Sequence, residues 1–422
     1  MRPSPRKLVG AAAALATASA AVVVATQAFA DPDQPDDDAD TRVVNHEVFS
    51  PDGSITRADV TVPAVEPPAP AADVAAAEVT PIIENGPSDE KFDIVVVGDG
   101  YTEGELDLYE EHVRSKVDHV FSVEPFTAYK DQFNVWMVDV VSNESGVDND
   151  PEPGVEKDTA MDMHFFCGDI ERLLCVNETK ANQYAAEAPG VDQVLALGNS
   201  AKYGGAGGDA ATSSGGHADS GEIAVHEFGH SIGGLADEYD YGEDGAYDGP
   251  EVSESNVSIY DRATQEAEEI KWHQWMGEDS PDGGIVDTYD GARYYKSGIF
   301  RPTEDSIMRS LGNEFNLPGR EAMVAAFHDL AAVASPSTPA GPAARGEELS
   351  VAVPEVPGPH EITWTVDGVA VEDAVGSLSL DTAALPADAG EVTVVVVDAT
   401  DWVRDESLRA EKLTVEFTWQ LD

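Results

Sequence analysis

The 422-residue sequence is poor in cysteine, in basic residues and in long apolar segments. Each scarcity argues against one kind of site, partner or membrane segment. Only two cysteines occur, with neither a third nor a CxxC spacing, which argues against a thiolate metal site. Lysine and arginine total 24 against 81 acidic residues, giving a formal net charge of −57. That sign disfavours binding of nucleic acid through its phosphates. Beyond the N-terminus, no segment is apolar enough to span a bilayer.

The N-terminus has the pattern of a secretory signal peptide. Three basic residues precede an Ala- and Val-rich run that ends in Ala-Phe-Ala at residues 28–30. We predict a signal peptide over residues 1–30, cleaved after Ala30; an uncleaved anchor is the alternative. Cleavage moves the formal charge from −57 to −60. The mature protein is then expected to be extracellular, with no membrane contact, and its acidity to form a solvated, salt-tolerant surface.

The two cysteines, Cys167 and Cys175, lie close together in "CGDIERLLC". In an exported chain such a pair is expected to form one disulfide that closes a small loop. We interpret this disulfide as structural.

The sequence divides into segments that differ in amino-acid composition and in predicted secondary structure. Residues 31–85 are rich in Asp, Pro and Ala, with one strand-like patch, "TRVVNHEVF", which is typical of a linker-like or partly ordered pro-region; ordered packing against the main domain is the alternative. In residues 86–335, "FDIVVVGDGYT", a helical pattern and "FNVWMVDVVS" form a β-α-β start, which predicts a mixed sheet covered by helices. A Pro-rich linker over residues 336–346 precedes short strands in residues 347–422, which predict a small β-sandwich. We expect an accessory or positioning role for the sandwich.

The main candidates for catalytic and metal-binding residues lie in "HEFGHSIGGLADEY", residues 226–239. The pattern predicts a helix in which His226 and His230, four residues apart, face the same way. In an HExxH arrangement both imidazoles bind Zn²⁺. Glu227 is not a ligand; it accepts a proton from water activated by zinc and passes it to the leaving amine.

A catalytic zinc site needs a third protein ligand. Gly233 and Gly234 can turn the chain back towards the metal, as in HExxHxxGxx(H/D) peptidases. The usual third-ligand position is occupied by Ala236, which cannot bind metal. We predict Asp237 as the ligand, with Glu238 as the alternative; more distant candidates without a spacing rule are His217, Glu251 and Glu254.

The sequence resembles the secreted zinc metallopeptidases of the IgA-peptidase type over about residues 85–330. The segments that carry the resemblance are "NGPSDEKFDIVVVGDGYTEGE", "FNVWMVDVVSNESGVDND", "CGDIERLLC", "HEFGHSIGGLADEY", "KWHQW" and "GIFRPTEDSIMRS". The resemblance implies hydrolysis of peptide bonds, with His226 and His230 on one zinc ion and Glu227 as the acid and base. It also implies an α/β (α+β) fold of the zincin or metzincin type, followed here by an all-β, Ig-like sandwich.

The resemblance further implies a methionine turn. "DSIMRS" is similar to the turn that runs under the metal in metzincins, which would place Met308 beneath the histidines; an ordinary core methionine is the alternative. The sequence departs from metzincins at Ala236. Two flanking segments are rich in Tyr, Gly and Asp and have the composition of substrate-contacting loops. Residues that could assist oxyanion binding are Tyr239, Tyr294, Tyr295 and Arg301; acids that could bind Ca²⁺ are Asp240, Glu243, Asp244 and Asp248.

The leading interpretation is a secreted, monomeric zinc endopeptidase that acts on extracellular proteins or peptides. A zinc amidase acting on cell-wall peptides is the second. A binding protein that has kept the fold and lost catalysis is the third, although the intact Glu227 argues against it. Nothing in the sequence specifies the substrate, including IgA, or decides between endopeptidase and exopeptidase action.

Overall fold

A computed structural model describes residues 41–63, 77–208, 210–240 and 245–422. The predicted signal peptide, residues 1–30, lies outside the described residues. In the described part of the chain, no helix has the length and apolarity needed to traverse a bilayer.

The first described segment is a β-hairpin of two nine-residue strands, β1 (Thr41–Phe49) and β2 (Ile55–Pro63). The strands pair antiparallel with Glu47 opposite Arg57. In the turn, the Asp52 carboxylate accepts hydrogen bonds from the backbone N–H and the hydroxyl of Ser54. Part of the Pro- and Ala-rich segment predicted over residues 31–85 is therefore an ordered hairpin.

The main sheet has six strands and is mixed, as predicted. The strands are β3 (Val79–Ile83), β4 (Phe92–Asp99), β5 (Phe133–Val138), β6 (Gln193–Gly198), β7 (Gly205–Ala206) and β8 (Ala210–Ser214). Their order is β3-β5-β4-β6-β8-β7; the central pairs are parallel, and both edge strands are antiparallel. Because β3 pairs with β5, the sheet begins at Val79, inside the predicted N-terminal segment.

The helices among the described residues are α1 (Leu106–Val120), α2 (Glu178–Ala185), α3 (Gly221–Ser231), α4 (Arg262–Glu268), α5 (Leu317–Phe327) and α6 (Glu406–Lys412). Of these, α1, α3 and α5 pack on one face of the main sheet and α2 on the other. Single 3-10 turns occur at Glu103–Glu105, Lys130–Gln132, Cys167–Asp169, Ala218–Ser220, His273–Trp275, Glu372–Ala374 and Thr382–Ala384.

Strand β4 explains why the sheet has two cores. Successive side chains of a strand point to opposite faces. Ile94 and Val96 therefore join the core with α1, α3 and α5, while Val95 and Val97 join the core with α2. The apolar run read in "FDIVVVGD" is a strand that is buried on both faces.

A second hairpin, β9 (Tyr289–Ala292) and β10 (Tyr295–Arg301), follows the region of α4. The connection between its strands is Arg293 and Tyr294, whose φ angles are 50° and 77°. The backbone N–H groups of these two residues donate to the carbonyls of Asp237 and Tyr239. The tip of this hairpin is thus fixed beside the "ADEY" segment.

The C-terminal region forms two small sheets. The strands are β11 (Ser335–Pro336), β12 (Gly341–Ala343), β13 (Glu348–Ala352), β14 (His360–Val366), β15 (Val369–Ala370), β16 (Ser379–Asp381), β17 (Glu391–Asp398) and β18 (Thr414–Leu421). They form a three-stranded sheet, β11-β13-β16, and a five-stranded sheet, β12-β18-β17-β14-β15. Strands β11 and β12 fall at or within the predicted linker, residues 336–346, so this segment is part of the sheets.

The C-terminal region is joined closely to the domain before it. Val403 and Leu413 are buried in the same core as α1 and α5. The Tyr129 hydroxyl donates to the Asp398 carboxylate at 3.1 Å, and the backbone N–H of Arg404 donates to Glu321. The two parts therefore stabilise each other.

Candidate metal centre

Helix α3 carries the two histidines and Glu227 in the middle of the molecule. It is apolar on most sides, with Ile223, Val225 and Phe228 fully buried. Its first turn continues from the 3-10 turn Ala218–Ser220, and the Ser220 side chain makes no capping hydrogen bond. The His217 ring instead accepts the backbone N–H of Asp219. The hydrophobic packing of α3, rather than a Ser or Asp cap, holds it in place.

His226 and His230 lie on one face of α3, with Nε2 atoms 3.1 Å apart. The Nδ1–H of His226 donates to the carbonyl of Ile307 at 2.9 Å, and that of His230 donates to the carbonyl of Leu235 at 2.7 Å. A bond at Nδ1 fixes the tautomer and leaves the Nε2 lone pair for a metal. Both Nε2 atoms are therefore oriented so that they could bind one metal ion.

The chain after α3 returns Asp237 to the histidines. Gly234 has a φ of 58°, a left-handed conformation that favours glycine and reverses the chain. The Asn256 side chain then pairs with both the N–H and the C=O of Ala236 at 2.8 Å. With Ala236 held by its backbone, Asp237 Oδ1 lies 3.5 Å from His226 Nε2 and 3.3 Å from His230 Nε2.

Glu238 points away from this cluster into a polar pocket. Its buried carboxylate accepts hydrogen bonds from the amide of Asn256, the hydroxyl of Ser306 and the amide of Asn316, at 2.7–3.0 Å. Burial raises the pKa of this carboxyl, and the three donors oppose that rise. Of the two acids that the sequence left open, the structure brings only Asp237 to the histidines.

Glu47 is a fourth member of the cluster, and it was not predicted from the sequence. Its Oε2 lies 3.2 Å from His226 Nε2 and 3.5 Å from His230 Nε2. Its Oε1 accepts a 2.7 Å hydrogen bond from the Tyr239 hydroxyl. No spacing rule would identify a single glutamate that lies 179 residues before His226 in the sequence.

The geometry of the cluster suits a tetrahedral zinc ion. Ligand atoms that each lie about 2.0–2.1 Å from such an ion are about 3.3 Å apart. The five separations given above, among His226, His230, Asp237 and Glu47, range from 3.1 to 3.5 Å. Among the described residues, buried Asp237 Oδ1 has no hydrogen-bond partner, as expected of an atom that binds a metal. Two imidazoles with carboxylates are also a ligand set that zinc favours.

Glu227 is the buried acid next to this cluster. Burial and the neighbouring Glu47 carboxylate raise its pKa to about 7. Its Oε1 has no hydrogen-bond partner among the described residues, and its Oε2 lies directly against Gly207, where any side chain would collide. Gly207 follows the edge strand β7, so Glu227 faces the space beside the sheet edge.

Protons and metal would compete for the histidines. Burial alone would lower the pKa of His226, but Glu47 and Asp237 outweigh it and raise that pKa to about 10. The pKa of His230 is also raised, since Asp237 and Glu47 again outweigh the effect of burial. For Glu47, burial acts to raise the pKa, but the two imidazoles hold it well below its ordinary value.

The family follows from a comparison with family models. Residues 80–284 and 278–327 match the model described as IgA peptidase M64, and together they cover more than half of the chain. The chain belongs to the IgA peptidase M64 family. The resemblance read in the sequence is thereby confirmed, and the chain is a peptidase whose family implies a metal ion. The matched stretches include α3, Asp237 and Met308 but not Glu47. No curated protein is a significant match.

The segment around Met308, which the sequence predicts to be a methionine turn, lies against α3. The Met308 sulfur packs directly on Gly229, between the two histidines in sequence, and the Met308 carbonyl accepts the backbone N–H of Glu238. Ile307 supplies the acceptor for His226. The segment predicted to lie beneath the histidines therefore contacts α3 and the chain that returns after it.

The four oxyanion candidates of the peptidase have different surroundings. Tyr239 contacts Glu47, and Tyr294 donates to Asp237 Oδ2 at 2.5 Å, so both reach the cluster. The Tyr295 ring packs against Tyr247 instead. Arg301 donates to the backbone carbonyls of Asp290, Gly291 and Glu304. Only the two tyrosines therefore touch candidate ligands.

The more distant ligand candidates are engaged elsewhere. Glu251 pairs with Lys271, Glu254 pairs with Arg293, and the carbonyl of His217 accepts from Lys116. None of them belongs to the cluster around His226.

Of the acids considered for Ca²⁺, Asp240 pairs with Arg309 at 3.1 Å. Glu243 and Asp244 lie outside the described residues. The calcium site stays a prediction.

Cys167 and Cys175 form a disulfide, with their Cα atoms 5.9 Å apart. They lie near His164, but oxidised sulfur is not a thiolate, so this group is not a zinc site. The loop packs against Val60 of β2.

Proposed function

We propose that this protein is a secreted, zinc-dependent endopeptidase that hydrolyses peptide bonds in extracellular proteins. His226, His230 and Asp237 are the zinc ligands, and Glu227 is the general base and acid. The observation that carries the proposal is the mutual 3.1–3.5 Å separation of His226 Nε2, His230 Nε2 and Asp237 Oδ1. Membership of a peptidase family supports the reaction type.

His226, His230 and Asp237 would hold a zinc ion, which when bound would act as a Lewis acid on the scissile carbonyl and lower the pKa of water to about 7. Glu227 then accepts a proton from the attacking water. A pKa of about 7 for Glu227 suits both halves of this transfer, because the group can take the proton and release it near neutral pH. The same proton passes to the nitrogen of the leaving amine as the peptide bond breaks.

Other residues of the chain orient these groups. The carbonyls of Ile307 and Leu235 hold the two imidazole rings, and the Tyr294 hydroxyl holds the Asp237 carboxylate. Peptides commonly bind as an added strand at the open edge of a sheet. Strand β7 is the edge strand of the main sheet and leads into Gly207 next to Glu227. Gly205 already pairs with Leu173 and β1 lies against β7, so this supports an extended peptide as the substrate at Ala206 and Gly207 once β1 has moved away.

Export is supported by the disulfide in the structure and by the signal peptide predicted over residues 1–30. The proposal treats the mature protein as a monomer. The C-terminal sheets have an accessory, positioning role that is consistent with their shared core with α5.

The test combines metal content with cleavage of casein by the chain from residue 31 onward. Cleavage is measured in the unaltered protein and in a Glu47→Ala background, which removes the carboxylate against the histidines. We expect one zinc per chain, loss of cleavage with a chelator, and at least a 10³-fold loss in Glu227→Gln with zinc retained.

The matched control is Glu222→Gln on the same helix, where the carboxylate pairs with His119 instead. It should cleave casein as the parent does. Undiminished cleavage by Glu227→Gln would refute the mechanism, and release of single terminal residues without internal fragments would refute endopeptidase action.

A further inference from the structure

The Glu47 carboxylate has both oxygens engaged at the candidate metal centre. One oxygen contacts the Nε2 atoms of His226 and His230, and the other accepts from Tyr239. The side chain is only 14% exposed. A carboxylate is costly to bury without compensating partners. The contact is therefore a specific interaction of the hairpin with the site.

Apolar contacts hold the hairpin in this position. The Phe49 ring meets the His226 ring edge to face at 5.4 Å between centroids. Ile55 is fully buried with Ile223 and Leu311, and the backbone N–H of Leu311 donates to the carbonyl of Gly53. These residues flank Glu47 on both strands, so the glutamate is not free to leave the site alone.

Two further contacts extend the covered surface. The Arg57 guanidinium, opposite Glu47 in the hairpin, lies 3.5 Å from the centre of the Tyr294 ring. Val60 is buried against Leu173 and Ala206, the second residue of edge strand β7. Strand β1 also contacts β7. The hairpin thus occupies the sheet edge at which an extended substrate would bind.

We propose that the β1–β2 hairpin is an inhibitory segment of this peptidase, in which Glu47 is a fourth metal ligand that closes the site until the hairpin is displaced. This inference rests on the proposed metal site. The hairpin precedes the residues that match the peptidase family, so it is an addition to the matched region.

The chemistry explains why a fourth protein ligand inhibits. Catalytic zinc sites have three protein ligands and one position for water or substrate, whereas sites with four protein ligands are structural. Glu47 lies at the separations expected of the fourth vertex, 3.2 and 3.5 Å from the two imidazole nitrogens. While Glu47 remains there, Glu227 has no water from which to accept a proton.

The covalent link makes this inhibition efficient. A short tether gives a ligand an effective concentration of about a millimolar, which saturates even a weak site. Once the connection is cut, the hairpin at micromolar concentration must bind by its own affinity, and an isolated two-stranded hairpin is at best marginally stable in water. Dissociation of the hairpin from the metal site then becomes favourable.

The experiment uses the full mature chain with a recognition sequence for a site-specific protease placed between Pro63 and Ala77. The protein is folded, loaded with Co²⁺ and then cut, and its visible absorption is recorded before and after removal of the hairpin. We expect the cobalt bands to change when the hairpin leaves, because a carboxylate ligand is replaced by water. Casein cleavage by the zinc form should rise at least tenfold.

Substitutions in the hairpin distinguish the loss of Glu47 as a metal ligand from general damage to the hairpin. Glu47→Gln and Glu47→Ala in the uncut chain should give cobalt spectra close to that of the cut parent and a raised rate of cleavage. Asp52→Asn removes a carboxylate at the hairpin turn, far from the metal, and should match the uncut parent in both measurements. A synthetic peptide of residues 41–63 should restore the original spectrum of the cut protein, and its Glu47→Gln version should not.

Cobalt spectra and cleavage rates that are the same before and after hairpin removal would overturn this inference while leaving the proposed function intact. If the cut chain binds no metal, or cleaves nothing with full zinc, the proposed function fails and the inference fails with it.

Discussion

The Tyr294 hydroxyl donates a 2.5 Å hydrogen bond to Asp237 Oδ2, the carboxylate oxygen opposite the one that faces the two histidines. Tyr294 can do this because it stands at the tip of the β9–β10 hairpin, where its backbone N–H also bonds the carbonyl of Tyr239. One hairpin thus aligns both the chain and the carboxylate that returns to the metal centre.

Replacing Tyr294 by phenylalanine should weaken zinc binding by about 10–100-fold, because the partner that orients a ligand is lost while the ring is kept. Competition with a chromophoric chelator measures the affinity. Tyr295→Phe is the control, since that ring packs on Tyr247 and lies outside the cluster. Equal affinities for the two variants would show that Tyr294 does not position Asp237.

Tyr239 donates to the oxygen of Glu47 that is not shared with the histidines. In the protein freed of its hairpin, that hydroxyl loses Glu47 as an acceptor, and we expect an oxygen of the substrate to take its place. We expect Tyr239→Phe to lower kcat by about 10²–10³-fold with little change in KM, as for loss of one oxyanion donor. The control is Tyr203→Phe, whose hydroxyl bonds only the hairpin carbonyl of Ser50 among the partners described. A change confined to KM would contradict the prediction.

Zinc binding should release protons. In the metal-free chain the Glu47 and Asp237 carboxylates raise the pKa of His226 to about 10 and also raise the pKa of His230, so the pair of rings carries an additional proton at neutral pH. Zinc requires neutral imidazoles, so the metal-free protein binds more protons than the zinc form and the affinity for zinc should rise with pH across the neutral range. Titration calorimetry in buffers of different ionisation enthalpy counts the protons. An affinity independent of pH between 6 and 8 would refute the prediction.

The adjacent acids Asp237 and Glu238 should give opposite results when each is replaced by its amide. Asp237→Asn should lose stoichiometric zinc, because a carboxylate ligand is removed from between the histidines. Glu238→Gln should keep zinc but lower the free energy of unfolding by about 3 kcal/mol, since a buried charged acceptor faces several donors. Metal analysis and urea unfolding provide the two measurements. Retained zinc in Asp237→Asn would exclude it as an essential ligand.

Weakening the hairpin far from the metal should also activate the uncut chain. Val60 is 3% exposed, and Val60→Ala should cost about 2 kcal/mol of packing, which is roughly a 30-fold shift towards the open form. Val43, on the same hairpin, is 63% exposed, so Val43→Ala should change nothing. Initial rates of casein cleavage before and after removal of the hairpin make the comparison. The two variants should have identical rates once the hairpin is gone.

The sequence predicted those parts of the fold that depend on residues close together in the chain. The buried strand "FDIVVVGD", the mixed sheet and the cysteine pair depend on apolar runs and short spacing, and each is present. Asp237 could be favoured over Glu238 only by allowing one additional residue in the glycine turn. The side chain that fixes this register is Asn256, twenty residues away, and no local rule links it to Ala236.

Long-range contacts account for what the sequence did not show. Glu47 reaches His226 only because β1 folds across the edge of a sheet formed by residues far along the chain. Strands β3, β11 and β12 lie in segments whose proline and alanine content is typical of linkers. Their pairing is determined by partners that those segments do not contain, namely β5, β13 and β18.

The two imidazole rings are aligned by main-chain carbonyls, those of Ile307 and Leu235, and not by side-chain acids. No point substitution can delete a main-chain oxygen, so a mutation at either position can disturb the rings only by moving the backbone. The backbone conformation at residues 235 and 307 thus determines the orientation of the two imidazole rings. Ile307 or Leu235 could therefore be replaced by another apolar residue of similar volume, and each histidine would keep its hydrogen-bond acceptor.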